Sequence, residues 1–197
     1  MSTSQIVAWI VVAVLVFWAV GAYNRLVRLR NVIANAFAQI DVQLKRRYDL
    51  IPNLVDVARK YVEHERDTLE AVTAARNQAK SAADLARARP GSAGPVTSLS
   101  MAERVLDGAL ARLMAVVEAY PELKADQSLR ELAEELTSTE NKVAFSRQLF
   151  NDAAFDYNVA VQQFPTRLLS ALFGFREAAL LQSTTSEAER AAVRVQL

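Results

Sequence analysis

The chain begins with an unbroken run of eighteen apolar or small residues, Ile6 to Tyr23 (IVAWIVVAVLVFWAVGAY), and no charged side chain precedes Arg25. As a helix this run is about 27 Å long, close to the thickness of a bilayer's hydrocarbon core. Trp9 stands near one end, with Trp18 and Tyr23 toward the other. Aromatic rings favour the headgroup boundary, so Ile6, Trp9, Trp18 and Tyr23 are assigned to a membrane anchor. The alternative is a cleaved signal peptide, and Ala19-Val20-Gly21 has a small-x-small look. A run this long without a basic n-region fits a retained anchor better.

Beyond the anchor the spacing changes to three and four. Leu26, Leu29, Ile33, Phe37, Ile40 and Leu44 form one stripe, as expected of an amphipathic helix that continues from the anchor. Pro52 interrupts the pattern in RRYDLIPNLV. A proline lacks the N–H donor and disfavours helix before it, so a tight helix–helix turn is expected here, with Asp49 as the next N-cap. A kinked continuous helix is the alternative. The second helix is expected to carry Leu54, Val57, Tyr61, Thr68, Val72, Ala75 and Ala79 on one stripe, and either to end early, near Ser81, or to require a tilted bundle. Pro90 to Ser98 (PGSAGPVTS) reads as a linker. A third helix is expected from Leu99, capped by Ser98, and a fourth from about Ser128 to Phe164-Pro165. An up-down-up-down order would return the chain to the bilayer at Pro165. The following segment to Gln182 (PTRLLSALFGFREAALLQ) is dense in apolar side chains. Leu168, Leu169, Leu172, Phe173 and Phe175 are read as an interfacial helix, with a bundle-capping fifth helix or a subunit interface as alternatives.

Composition narrows the picture. Apolar residues make up 52% of the 197, with five glycines and five prolines, so a disordered or low-complexity chain is excluded. There is no cysteine, hence no disulfide, thiolate ligand or thiol nucleophile. The net charge of +1 removes the simplest case for nucleic-acid binding. Charge is nevertheless uneven. Residues 25–47 carry Arg25, Arg28, Arg30, Lys45, Arg46 and Arg47 against Asp41, whereas residues 118–140 hold seven acids and two bases. The basic flank of Arg25, Arg28 and Arg30 predicts an N-terminus outside and a cytoplasmic bundle.

Candidate chemistry is sparse. His64 is the only histidine and lies between Glu63 and Glu65, which suits a solvated face. Glu131, Glu134, Glu135 and Glu140 lack the Glu-x-x-His partners of a di-iron bundle. No glycine-rich phosphate loop or nucleophile elbow occurs. Polar residues within helical stretches are more informative. Asp41, Lys45, Arg46, Asn53, Asn141, Asn151 and Asn158 are candidates for a polar lock between helices or a partner surface.

Several of these strings resemble the LemA family of bacterial membrane proteins. They are YNRLVRLRN (Tyr23–Asn31), IDVQLKRRYDLIPNLV (Ile40–Val55), YVEHE (Tyr61–Glu65), AYPELKA (Ala119–Ala125), ELTSTENKVAFSRQLFN (Glu135–Asn151), YNVAVQQFP (Tyr157–Pro165) and Gly174-Phe175. The resemblance implies one N-terminal span, an extracytoplasmic N-terminus and a long antiparallel bundle. It implies no established catalytic activity and no active site. One relative belongs to the magnetosome machinery and is linked to membrane organelle formation, which extends to this chain as an expectation of membrane remodelling.

The sequence is therefore expected to encode an all-α protein, with a transmembrane helix continuing into an antiparallel bundle of coiled-coil character. Its parts are an anchor (1–24), a bundle (25–164), an amphipathic segment (165–182) and a polar tail (183–197). The expected role is a non-enzymatic, self-associating scaffold in the inner membrane of a bacterial cell. A tethered adaptor that docks a protein partner in envelope signalling or stress is the alternative. Lipid and further copies of the chain are the expected partners. No cofactor, metal, nucleic acid or small-molecule substrate is expected.

Overall fold

The computed structural model describes residues 2–62 and 64–181, so the expected polar tail (183–197) lies outside the described residues. Those residues form six helices and no strand. They are α1 (Thr3–Arg59), α2 (Arg66–Ala88), α3 (Ala93–Ala119), α4 (Pro121–Ala125), α5 (Gln127–Gln162) and α6 (Thr166–Phe173). The helix α1 packs along α5 and α2, and α2 packs along α3. The chain is all-α, as its periodicity predicts.

Helix α1 has 57 residues and combines two surfaces. Its first part is uncovered: Ile6, Trp9 and Phe17 are all exposed. Burial begins at Leu26 and follows the predicted stripe through Ile33, Phe37, Ile40 and Leu44. The described residues contain one helix long and apolar enough to cross a membrane, and it is this one.

The expected turn at Pro52 does not form. Proline lies inside α1, and the stripe runs past it through Tyr48, Ile51, Leu54, Val55 and Ala58, all buried. The missing donor is compensated from another helix, because Arg76 Nε donates to the Tyr48 carbonyl at 2.9 Å. That carbonyl is the acceptor a residue-52 amide would have used. Asp49 is thus an exposed mid-helix residue and caps nothing. The turn occurs after Arg59, where Ala58 O accepts from the amides of Tyr61 and Val62, and Val62 is buried.

This shift divides the expected second stripe. Leu54 and Val57 belong to α1, Tyr61 is exposed in the turn, and Val72, Ala75 and Ala79 are buried on α2. Helix α2 continues to Ala88, past Ser81, because its start lies sixteen residues later than Asp49 as N-cap would set it. Its buried face is largely alanine (Ala75, Ala79, Ala82, Ala83, Ala86), which lets α3 approach closely.

The expected linker is shorter than nine residues. Helix α3 starts at Ala93 with Ser92 as N-cap, so Gly94, Pro95 and Ser98 are helical and Ser98 caps nothing. A proline in the first helical turn removes a donor that has no partner there. Gly91 forms the turn with φ +85°, and a Cβ there would sit 3.4 Å from both Ala178 Cβ and Ile33 Cγ2. After the short α4, Asp126 caps α5 by accepting from Leu129 N at 3.0 Å.

The segment 165–182 is not one amphipathic helix. Only Thr166–Phe173 is helical, and Gly174 ends it in the left-handed region at φ +71°. From Phe175 to Leu181 the chain carries no helix and runs back along the bundle as a strap.

Candidate functional site: a buried ion cluster beneath a C-terminal strap

The stripe of α1 contains one residue that does not belong by polarity. Arg47 occupies the position between Leu44 and Ile51 and is 3% exposed. Its NH1 donates to Glu103 Oε2 at 2.7 Å, and its NH2 pairs with the Asp107 carboxylate. Tyr48 donates its hydroxyl to the other oxygen of Glu103 at 2.5 Å. Both Glu103 oxygens are therefore occupied, and Glu103 is 4% exposed. Arg147 on α5 adds a second cation to the field of Glu103 and Asp107. Arg47 Nε has no hydrogen-bond partner.

The electrostatics follow from burial. Burial pushes the Glu103 carboxyl up, against the opposing pull of Arg47 and the Tyr48 hydroxyl. Burial also raises the Tyr48 phenol, reinforced by the adjoining carboxylate. For Arg47 burial works downward, but Glu103 and Asp107 outweigh it and hold the guanidinium above its ordinary value. Burial lowers Arg147, only partly offset by Glu103 and Asp107. The hydrogen bonds of Arg47 and Tyr48 all run from α1 to Glu103 and Asp107 on α3, so the cluster joins helices more than it presents chemistry to solvent.

The strap closes this region. Asn158 Nδ2 donates to Ala178 O at 2.9 Å, and Asn158 Oδ1 accepts from Ala178 N at 2.7 Å. Asn151 makes the same pair with Leu181, at 3.0 and 2.9 Å. Ala179 N donates to Gly91 O at 2.9 Å. Two asparagines seven residues apart lie about 10.5 Å apart on one face of α5. That matches three residues of extended chain, about 10 Å. Leu181 is buried, and it lines a small gap with Ile40, Leu44, Leu99, Val143, Glu103 and Arg147. The strap thus fills the space between α3 and α5 above the ion cluster.

The remaining candidates are distributed. Asp41 is held bidentately by Arg87, from Nε at 2.8 Å and NH2 at 2.7 Å. With Lys45, Lys80, Asp49 and Asp84 this pair lines a cleft of about 330 Å³ whose charges balance. Arg46 pairs with Glu135 at the surface. Asn53 and Asn141 are exposed. The seven polar residues therefore form no single lock. Asn151 and Asn158 act together, Asp41 and Lys45 share a cleft, and the others stand apart. The sequence reading passed over Arg47, Tyr48, Glu103 and Asp107, although Arg47 on an apolar stripe carried a signal. No group of three or more metal-ligating side chains occurs among the described residues.

The anchor residues Ile6, Trp9, Trp18 and Tyr23 are exposed, as are Arg25, Arg28 and Arg30. Leu168, Leu172 and Phe173 are exposed, while Leu169 and Phe175 are half-buried. Tyr23 meets the rings of Phe173 and Phe175 edge-on at 5.1 and 5.5 Å between centroids.

The magnetosome protein MamQ of Magnetospirillum gryphiswaldense is 27% identical over 169 residues, which cover 78% of this chain and 62% of that protein. Magnetosome protein MamQ 2 of Paramagnetospirillum magneticum is 25% identical over 183 residues, 81% of this chain and 64% of its own length. The chain thus spans less than two thirds of these two relatives. Protein LemA of Metamycoplasma hominis is 26% identical over 179 residues, covering 91% of this chain and 76% of that protein. The pattern that defines the LemA family matches residues 36–197, and the chain belongs to that family.

Proposed function

We propose that the protein is a membrane-anchored structural scaffold without enzymatic activity, which self-associates through its helical bundle and organises the membrane that holds it. The observation that carries this reading is α1. One uninterrupted helix joins an uncovered apolar run to a packed bundle, so the bundle is a rigid extension of the anchor. The basic flank orients the N-terminus outward and the bundle into the cytoplasm. Copies anchored in one bilayer share an orientation, which favours contact between like faces. The outward face of α5 offers such a surface, with Phe145, Leu149, Phe155 and Val159 all at least 44% exposed. The relatives named as magnetosome proteins support a place in a subcellular assembly.

Sizing and crosslinking of the full chain in lipid nanodiscs test the reading. Self-links through α5 that vanish in Phe145→Asp/Phe155→Asp are the expected result. A monomer at every protein-to-lipid ratio overturns the scaffold. A single foreign protein crosslinked to α5 in cells favours the adaptor instead.

A further inference from the structure

We propose that α6 is a second membrane contact: its outward face lies in the headgroup boundary of the bilayer that Ile6–Tyr23 crosses. The inference rests on the reading of that run as a span and adds a lipid-facing surface to it. Helix α6 has two sides. Ser170 is its buried residue, its Oγ donating to Val161 O at 3.1 Å and Arg167 O at 2.9 Å, which fixes that side against α5. The other side is bare, with Leu168 66%, Leu172 76% and Phe173 56% exposed, and Phe164 preceding it at 79%.

What covers this face is indicated by Tyr23. It is the last residue of the apolar run, and its ring meets those of Phe173 and Phe175 at 5.1 and 5.5 Å. The end of the span and the end of α6 are therefore at one level, and the exposed apolar surface passes from one to the other through a three-ring contact. Tyrosine and phenylalanine at that level suit the boundary between acyl chains and headgroups. The charges agree. Residues 24–30 and 164–177 together hold Arg25, Arg28, Arg30, Arg167 and Arg176 against Glu177 alone. Cations around a shallow apolar face are what an amphipathic helix lying on anionic lipid requires. Arg30 and Arg176 also line one cleft of about 450 Å³ beside the strap. Two points of contact fix the tilt of the bundle, which one span leaves free.

The absence of cysteine permits a direct test. Leu172→Cys, Val14→Cys and Asn141→Cys are each introduced into the full chain, spin-labelled, and placed in nanodiscs of phosphatidylcholine and phosphatidylglycerol. Asn141 lies about 32 Å along α5 from the residue that ends it. The ratio of oxygen to water-soluble nickel-chelate accessibility is expected to be several-fold higher at 172 than at 141, and highest at 14. Leu168→Cys repeats the measurement one turn away, and Leu168→Asp is expected to return the label at 172 to a water-like ratio while a label at 14 stays in lipid. A water-like ratio at 168 and 172 with position 14 in lipid overturns the contact alone. A label at 172 shielded from both reagents also overturns it, since protein then covers the face. A water-like ratio at 14 removes the span itself, and the contact with it.

Discussion

Arg76 Nε on α2 donates to the carbonyl of Tyr48 on α1 at 2.9 Å, occupying the acceptor that Pro52 leaves without its helical partner. The relationship explains why a proline that lacks a donor does not end the helix. It also makes the α1–α2 contact specific in register, since one guanidinium meets one carbonyl.

Arg76→Ala is expected to cost about 1–2 kcal/mol, because a part-buried carbonyl loses its donor. In a Pro52→Ala background the cost should shrink, since the restored amide supplies the bond. A urea double-mutant cycle measures the coupling, and an additive result would contradict the compensation.

Arg47→Met removes the guanidinium bonded to Glu103 and Asp107 and leaves Arg147 as the remaining cation near them. About 3–5 kcal/mol of stability should be lost, the usual consequence of breaking a buried pair from one side. Arg47→Met with Glu103→Leu should cost less than Arg47→Met alone. Chemical melts of the two variants decide between a paired cluster and independent packing.

For the strap, Asn151→Ala and Asn158→Ala each remove a two-way clamp, with an expected loss of about 1–2 kcal/mol per site. Hydrogen exchange should accelerate at the Leu181 and Ala178 amides respectively, while the buried part of α1 keeps its protection. Asn141→Ala, on an exposed position, should change stability by less than about 0.5 kcal/mol.

The N-cap of α5 predicts an acid-range effect. The Leu129 amide and the Tyr61 hydroxyl hold Asp126 below the usual aspartate value. A folded-state value lower than the unfolded one contributes stability above the unfolded value and loses it as pH falls through the folded one. The difference in Tm between the protein and Asp126→Asn should therefore be present at neutral pH and close on acidification below about pH 4.

The hydrophobic pattern alone determined the helical class, the one long apolar N-terminal helix and the buried face of α1 from Leu26 to Leu44. These are local properties, since an apolar stripe must be covered whichever helix covers it. The turns were decided by tertiary structure. Pro52 carries the local signal of a break, but a donor from α2 and an apolar stripe continuing to Ala58 outweigh it. Gly91 makes the α2–α3 turn because its φ of +85° strains any residue with a side chain, and the packing of Ala178 and Ile33 against it sets where that turn falls. The ion cluster was half legible. Arg47 stood out on its stripe, but nothing local shows that Glu103, Asp107 and Tyr48, more than fifty residues apart along the chain from it or beside it, converge on one point. Asn151 and Asn158 were visible as polar residues in a helix, yet their partners are backbone groups of the strap, which carry no sequence signature. Side-chain pattern fixes which face is buried; only the folded chain decides which distant backbone and charge each polar group meets.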